Sequence, residues 1–138
     1  MKPLTDLKVL ILDYWPTLED MFLKILAKAD GDDDIVKILR DILSKDLLVW
    51  VLEDGDGAFG LVTTRLQVIN TEPQQTHLIA DHGLFPLRLS ATVHEQLVGF
   101  AKSMNCSKLK TFTKRPGVAK FEESLGWRKS YTELVVDL

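Results

Sequence analysis

Two adjacent residues, Asp81 and His82, offer the chemistry most open to this chain. A histidine changes charge near neutral pH, and a carboxylate can accept or orient a proton, so either could serve as a general base. The alternative is a polar strand end in contact with solvent. His77 lies four residues before Asp81. On a strand the two share a face about 13 Å apart, too far for a direct pair. Cys106 is the single cysteine. Between a helix end and a strand it reads as a small buried filler, because a nucleophile needs an adjacent base and His94 sits on the preceding helix rather than beside it. Two acidic loops, Asp30-Gly31-Asp32-Asp33-Asp34 and Glu53-Asp54-Gly55-Asp56-Gly57, lack the twelve-residue calcium spacing with its terminal glutamate. They read as a helix start and a hairpin tip, so no metal site is expected.

The elements that must position these residues belong to one domain over residues 1–138, long enough to bury a core without staples. The formal net charge is −3, without the basic excess of a duplex-binding protein, so no nucleic-acid partner is expected. One cysteine allows no internal disulfide, which fits a reducing, cytoplasmic setting. The apolar run Val9 to Leu12 stops at Asp13 and is too short for a membrane span, so no membrane partner is expected.

Lys8–Leu12 reads as a first strand. Pro16 then suits the first turn of a helix, whose apolar face is Leu18, Phe22, Ile25, Leu26 and Ala29. The acidic run ending at Asp34 opens a second helix with Ile35, Ile38, Leu39, Ile42 and Leu43 on one side. Leu47–Leu52 reads as a strand buried on both faces. After the Gly-rich turn, Ala58–Ile69 returns as a long strand, and Thr76–Gly83 follows as a third. Thr92 with Glu95 forms a capping box for a helix carrying Val93, Leu97, Phe100, Ala101 and Met104, with Asn105 as its C-cap. Lys108–Thr113 is a strand, Pro116–Leu125 a short helix and Trp127–Leu138 a closing strand. The order is β-α-α-β-β-β-α-β-α-β. It implies an α/β (α+β) fold with a mixed sheet and helices on both faces.

The tail Phe121-Glu122-Glu123-Ser124-Leu125-Gly126-Trp127 resembles the C-terminal signature of the GNAT superfamily of N-acyltransferases, and the element order is similar to that fold over nearly the whole chain. Short GNAT-like proteins of tailed phages look similar as well. They share segments like Asp41 to Val51, Val62-Thr63-Thr64, a strand ending in His82-Gly83, and Asn105-Cys106 before the next strand. The resemblance implies a mixed, mainly antiparallel GNAT-like sheet with acyl-CoA, acetyl-CoA or another, held where Thr76–Gly83 and Lys108–Thr113 splay apart. Asp81, His82, Gly83 and Leu84 would lie along the pantetheine arm.

The family's pyrophosphate loop, Gln/Arg-x-x-Gly-x-Gly/Ala, falls on Arg88-Leu89-Ser90-Ala91-Thr92-Val93. Arg88 matches, Ala91 nearly matches and Val93 does not. Ser90, Ala91 and Thr92 at a helix N-terminus would still attract an anion. Lys114 and Arg115 could hold the 3′-phosphate, or simply be a solvated loop. Where many relatives carry an acidic tyrosine, this chain has Glu122, which near the ordinary carboxylate pKa of about 4.3 would be ionised at neutral pH. The resemblance thus implies acyl transfer to a small-molecule or peptide amine. The alternative is a catalytically silent phage-associated structural or assembly factor, for which the partner would be a virion component. Trp15 or an exposed strand edge would also allow a homodimer.

Overall fold

A computed structural model describes residues 1–28 and 34–111. In chain order they form β1 (Lys2–Pro3), α1 (Leu7–Val9), a π-helical turn (Leu10–Tyr14), α2 (Trp15–Ala27), α3 (Ile35–Leu43), β2 (Leu48–Asp54), β3 (Gly57–Ile69), β4 (Gln75–Leu84), a 3-10 turn (Leu87–Leu89), α4 (Ser90–Ser103) and β5 (Lys108–Thr111). The sheet runs β1-β2-β3-β4-β5. Its first three pairings are antiparallel and β4/β5 is parallel. This is the mixed, mainly antiparallel α/β architecture expected. The last expected helix and strand, and the tail signature, lie outside the described residues.

Each face of the sheet has its own core. On one, Leu10, Leu18, Phe22, Ile38 and Ile42 from the helical segments before β2 pack on Val49, Val51 and Leu61. On the other, Val93 and Leu97 of α4 cover Trp50, Leu52 and Val62. Burying each such large side chain contributes about 1.5–3 kcal/mol. Trp50 finds a partner for its indole N–H, which donates to Thr64 Oγ1 at 2.9 Å, and its ring meets Phe100 edge-on at 4.9 Å. No helix among the described residues is long and apolar enough to cross a membrane.

The first strand was expected at Lys8–Leu12, and the structure corrects this. The segment is helical, and the edge strand is the two-residue Lys2–Pro3, paired with Val51 and Trp50. Asp6 accounts for the difference: its carboxylate accepts from the Lys8 and Val9 amides and starts a helix there. Leu10 is fully buried while Leu12 is 69% exposed, a one-sided pattern that a doubly buried strand would not show. Lys2 also bonds Tyr14 Oη and Glu53 Oε1 at 2.9 and 3.0 Å, pinning β1 to the π-helical turn and to β2. These two partners push the Lys2 ammonium up to about 12.

The capping box is a second correction. α4 begins at Ser90, two residues before the expected start, and no side chain caps it. The preceding 3-10 turn feeds the helix directly, so Thr92 falls within the first turn. The C-terminal reading holds: Asn105 adopts φ +55°, and the Cys106 amide reaches back to Ala101 O at 2.9 Å. The hairpin reading also holds. Asp54 pairs with Gly57, whose φ of +109° suits glycine, and Asp54 Oδ1 accepts the Asp56 amide at 2.8 Å.

Two irregularities shape the sheet. Leu52 faces Gly60 but Glu53 faces Ala58, leaving Phe59 as an extra residue in β3. Thr63 faces His82 but Thr64 faces Ala80, leaving Asp81 as an extra residue in β4. Gly60 is where the end of β4 crosses closest to β3. A Cβ there would sit 2.8 Å from Leu84 O and 3.2 Å from Phe85 Cβ. Gly60→Ala should therefore force backbone apart and destabilise the protein by about 1–3 kcal/mol. Urea denaturation of the variant, with a midpoint equal to the parent's, would contradict this contact.

Candidate functional site

In a regular strand, neighbouring side chains point to opposite faces. The bulge at Asp81 breaks that rule. Ala80 packs toward α4. Asp81 Oδ2 accepts from Arg65 Nε, and Arg65 also pairs with Asp41 of α3. His82 sets its ring edge-on to Phe22 of α2, with centroids 6.0 Å apart. Asp81 and His82, adjacent in sequence, thus both turn to the face covered by α2 and α3. A bulge has this effect because the extra residue absorbs half a pleat and increases the local twist.

Each of the two is held. Arg65 bridges two carboxylates, Asp81 and, at 3.5 Å, Asp41 Oδ2. Partial burial opposes the Arg65 charge, but hydrogen bonds and charge attraction from Asp81 and Asp41 outweigh it and push the guanidinium above its ordinary value. Thr63, fully buried in β3, contacts His82 twice. Its Oγ1 accepts from the His82 backbone N–H at 3.0 Å and lies 2.8 Å from His82 Nδ1. Trp15 stands behind Phe22, with ring centroids 6.2 Å apart, so the α2 side of the site is aromatic, with Phe22 fully buried and Trp15 half-buried.

The parallel ladder between β4 and β5 pairs His77–Ala80 with Lys108–Thr111. At its last described rung Thr111 Oγ1 donates to Ala80 O at 3.1 Å. Asp81, His82, Gly83 and Leu84 continue beyond that rung, and Gly83 is exposed. The two strands expected to flank the cleft are therefore adjacent and parallel. The course of β5 after Thr111 lies outside the described residues.

From Leu84 the chain passes through Phe85 and Pro86 into the 3-10 turn, which carries an exposed Arg88, and then into α4. Ser90, Ala91 and Thr92 form the first turn of that 14-residue helix, whose amides meet no side-chain cap. Val93, the residue that departs from the family loop, is 4% exposed and packs into the core beneath α4. Its bulk is directed at the sheet. Lys114, Arg115 and Glu122 lie outside the described residues. A hollow of about 150 Å³ near Met1, Phe59, Leu89 and Thr92 sits on the β2/β3 side of α4 and shares no lining residue with Asp81–Leu84.

His77 lies on β4 but away from this group. It is 4% exposed, its Nε2 is 3.1 Å from Gln75 Oε1, and its Nδ1 is buried with no partner among the described residues. Burial, then the charges of Lys110 and Lys108, hold its pKa below the ordinary histidine value. Burial likewise pushes the Cys106 thiol up, away from the thiolate a nucleophile needs. Among the described residues no group of three or more His, Cys, Asp or Glu could hold a metal ion. Sequence reasoning singled out Asp81 and His82 but missed Asp41, Thr63, Arg65 and Phe22, whose roles come from neighbours across the sheet and from α2 and α3.

No family model matches the sequence, and no curated protein sequence matches it. Solved structures do. A probable acetyltransferase superposes with a TM-score of 0.73 at 13% identity, covering 100% of both chains. An aminoglycoside acetyltransferase from an uncultured soil metagenomic sample, solved in complex with sisomicin, gives 0.67 at 11% identity over 99% of this chain and 94% of that one. Glucosamine-6-phosphate N-acetyltransferase from Arabidopsis thaliana gives 0.62 at 14% identity over 88% and 92%. At these identities the likeness shows the fold, which is that of GNAT-like acetyltransferases.

Two outcomes follow from the charged groups. Arg65→Met should leave Asp41 and Asp81 facing each other without their cation. It should cost about 1–2 kcal/mol, less than for a fully buried pair because solvent screens the site. A double-mutant cycle with Asp41→Asn in chemical denaturation should show coupling, and additivity would mean the bridge is absent in solution. For His77, the unfolded chain takes up a proton below about pH 6.5 while the folded protein resists it, so stability should be lost as pH falls through that value. Melting curves from pH 7.5 to 5 should show a shallower fall for His77→Gln than for the parent, and equal slopes would contradict the burial effect.

Proposed function

We propose that this protein transfers an acyl group from acyl-CoA, acetyl-CoA in the first instance, to an amine nitrogen. The observation that carries this reading is the bulge in β4. It directs Asp81 and His82 to one face at the point where β4 runs past the last described β5 rung. The likeness to acetyltransferase folds supports the same reading at the level of architecture.

Acyl-CoA supplies an activated thioester. The chain supplies placement. Backbone groups of Asp81–Leu84, beyond the last described β5 rung, would be the ones to align with an amide-bearing arm. The Ser90 amide already donates to Leu87 O, so the first turn of α4 would meet a pyrophosphate with the Ser90 hydroxyl, the Ala91 and Thr92 amides and the partial positive charge of the helix end, and the exposed Arg88 adds a full charge in the turn before it. An acceptor would approach from the α2/α3 side, between half-buried Trp15 and the polar cluster of Asp41, Arg65 and Asp81. Holding amine and thioester together can supply a large part of the acceleration in direct transfer, so the chemistry does not require a proton donor such as a tyrosine at position 122. The acceptor would be a small-molecule or peptide amine. The negative net charge disfavours a nucleic acid.

Binding decides the matter first. Acetyl-CoA at 100 times its dissociation constant should stabilise the protein by about 2.7 kcal/mol, visible as a thermal shift and as heat in calorimetry. Ala91→Asp should leave the melting temperature of the free protein at or above the parent's, since a carboxylate suits a helix N-terminus. The same change should weaken acetyl-CoA by about tenfold through repulsion of the pyrophosphate. No shift at millimolar acetyl-CoA would end the acyltransferase reading. Binding without thiol release across a panel of amines would leave a coenzyme-binding protein that does no transfer.

A further inference from the structure

Thr63 holds His82 at backbone and ring, and its hydroxyl bears on which ring nitrogen carries a proton. Thr63 is fully buried. Its Oγ1 makes two contacts: it accepts the His82 backbone N–H at 3.0 Å and lies 2.8 Å from His82 Nδ1. A buried hydroxyl must place its own proton on an acceptor. Among the hydrogen bonds that Thr63 makes, the Nδ1 lone pair is the acceptor that remains. The reverse arrangement, with Nδ1–H donating to Oγ1, would make the hydroxyl a double acceptor and orphan its proton in the core.

We infer that Thr63 is a positioning residue that locks neutral His82 with its proton on Nε2 and its lone pair capped at Nδ1. A general base must present a lone pair to the group it deprotonates. His82 held in this way presents an N–H instead. Within the acyl-transfer reading, on which this consequence rests, His82 is a hydrogen-bond donor in the site rather than the base. Taking a proton from the acceptor ammonium then falls to Asp81 or to a water it holds. The bulge makes the lock feasible: with Thr63 opposite His82 and Asp81 looped out, the imidazole folds back over the hydroxyl that already holds its own backbone.

The test is nitrogen NMR of the full chain labelled with ¹⁵N-histidine, free of ligand, above pH 7.5. The three histidines are distinguished by His77→Gln, His82→Gln and His94→Gln. His82 should show a protonated-type Nε2 and an unprotonated, hydrogen-bonded Nδ1. Thr63→Val should move the Nδ1 resonance toward that of a free lone pair, and Thr63→Ser should restore it. A protonated Nδ1 in the parent, or a Thr63→Val spectrum identical to the parent's, would overturn the inference. Should Thr63→Val fail to fold, the parent spectrum and Thr63→Ser decide alone. In turnover assays Thr63→Val should lose activity by about tenfold with Thr63→Ser close to the parent. The kcat/KM pH profile should keep its rising limb in His82→Gln, and a limb that vanishes there would make His82 the base. Because the NMR arm uses no coenzyme, a protein that never transfers an acyl group would sink the acyltransferase reading while leaving the tautomer question answered.

Discussion

One residue too many on β4 is the constraint on which the site depends. Between Thr63 and Thr64 on β3 the facing strand spends three residues, Ala80 to His82, where an even ladder would spend two. The ladder loses regular pairing at that point, a cost the surroundings offset. Asp81, displaced from the ladder, has its carboxylate taken by Arg65, and His82 is held at backbone and ring by Thr63. The bulge is thus fastened on both sides by groups from the neighbouring strand, and the same fastenings aim its two titratable side chains. Removing Asp81 would leave His82 opposite Thr63 on the same face but take away the carboxylate that Arg65 holds.

The fastenings also join the site to the rest of the fold. Arg65 reaches past Asp81 to Asp41, so the position of α3 and the shape of β4 are linked through one guanidinium. Phe22, fully buried in α2, supplies the ring against which His82 rests. On the far face Trp50 and Val62 anchor α4, whose first turn opens a few residues after β4 ends. Gly60 lets those layers meet, since β3 carries no side chain where Leu84 and Phe85 cross it. The elements around Asp81–Leu84 are therefore set by packing on both sides of the sheet.

Much of this was legible in the sequence. The apolar runs of β2, β3 and β4, the Asp54–Gly57 turn, the stripe of α4 and the left-handed Asn105 each have a local cause that the chain displays directly. Lys8–Leu12 misled because four consecutive apolar residues suit a strand or a buried helical turn equally, and the deciding group, the Asp6 carboxylate, lies just outside the run. The start of α4 misled because a 3-10 turn supplied its first residues and left the capping pair unused. The bulge could not be read at all. Alternation along β4 is a property of one strand, whereas a register slip exists only between two. For the same reason Asp81 and His82 could be suspected from residue type, while Thr63, Arg65 and Asp41 became functional candidates only when the strands were laid side by side.

The departure at Val93 shows how a motif and its physics can part company. Small residues in a phosphate loop let amides approach a phosphate closely. That requirement concerns the side of the helix mouth that faces the ligand. Here Val93 lies one residue past the first three of α4 and turns into the apolar layer with Leu97 and Trp50. It contributes core packing that a glycine could not, and its side chain is turned into that layer. The substitution therefore removes backbone freedom from the loop without placing bulk across the helix end. Whether an anion is bound there turns on partial charge and Arg88, which survive, more than on the glycines, which do not.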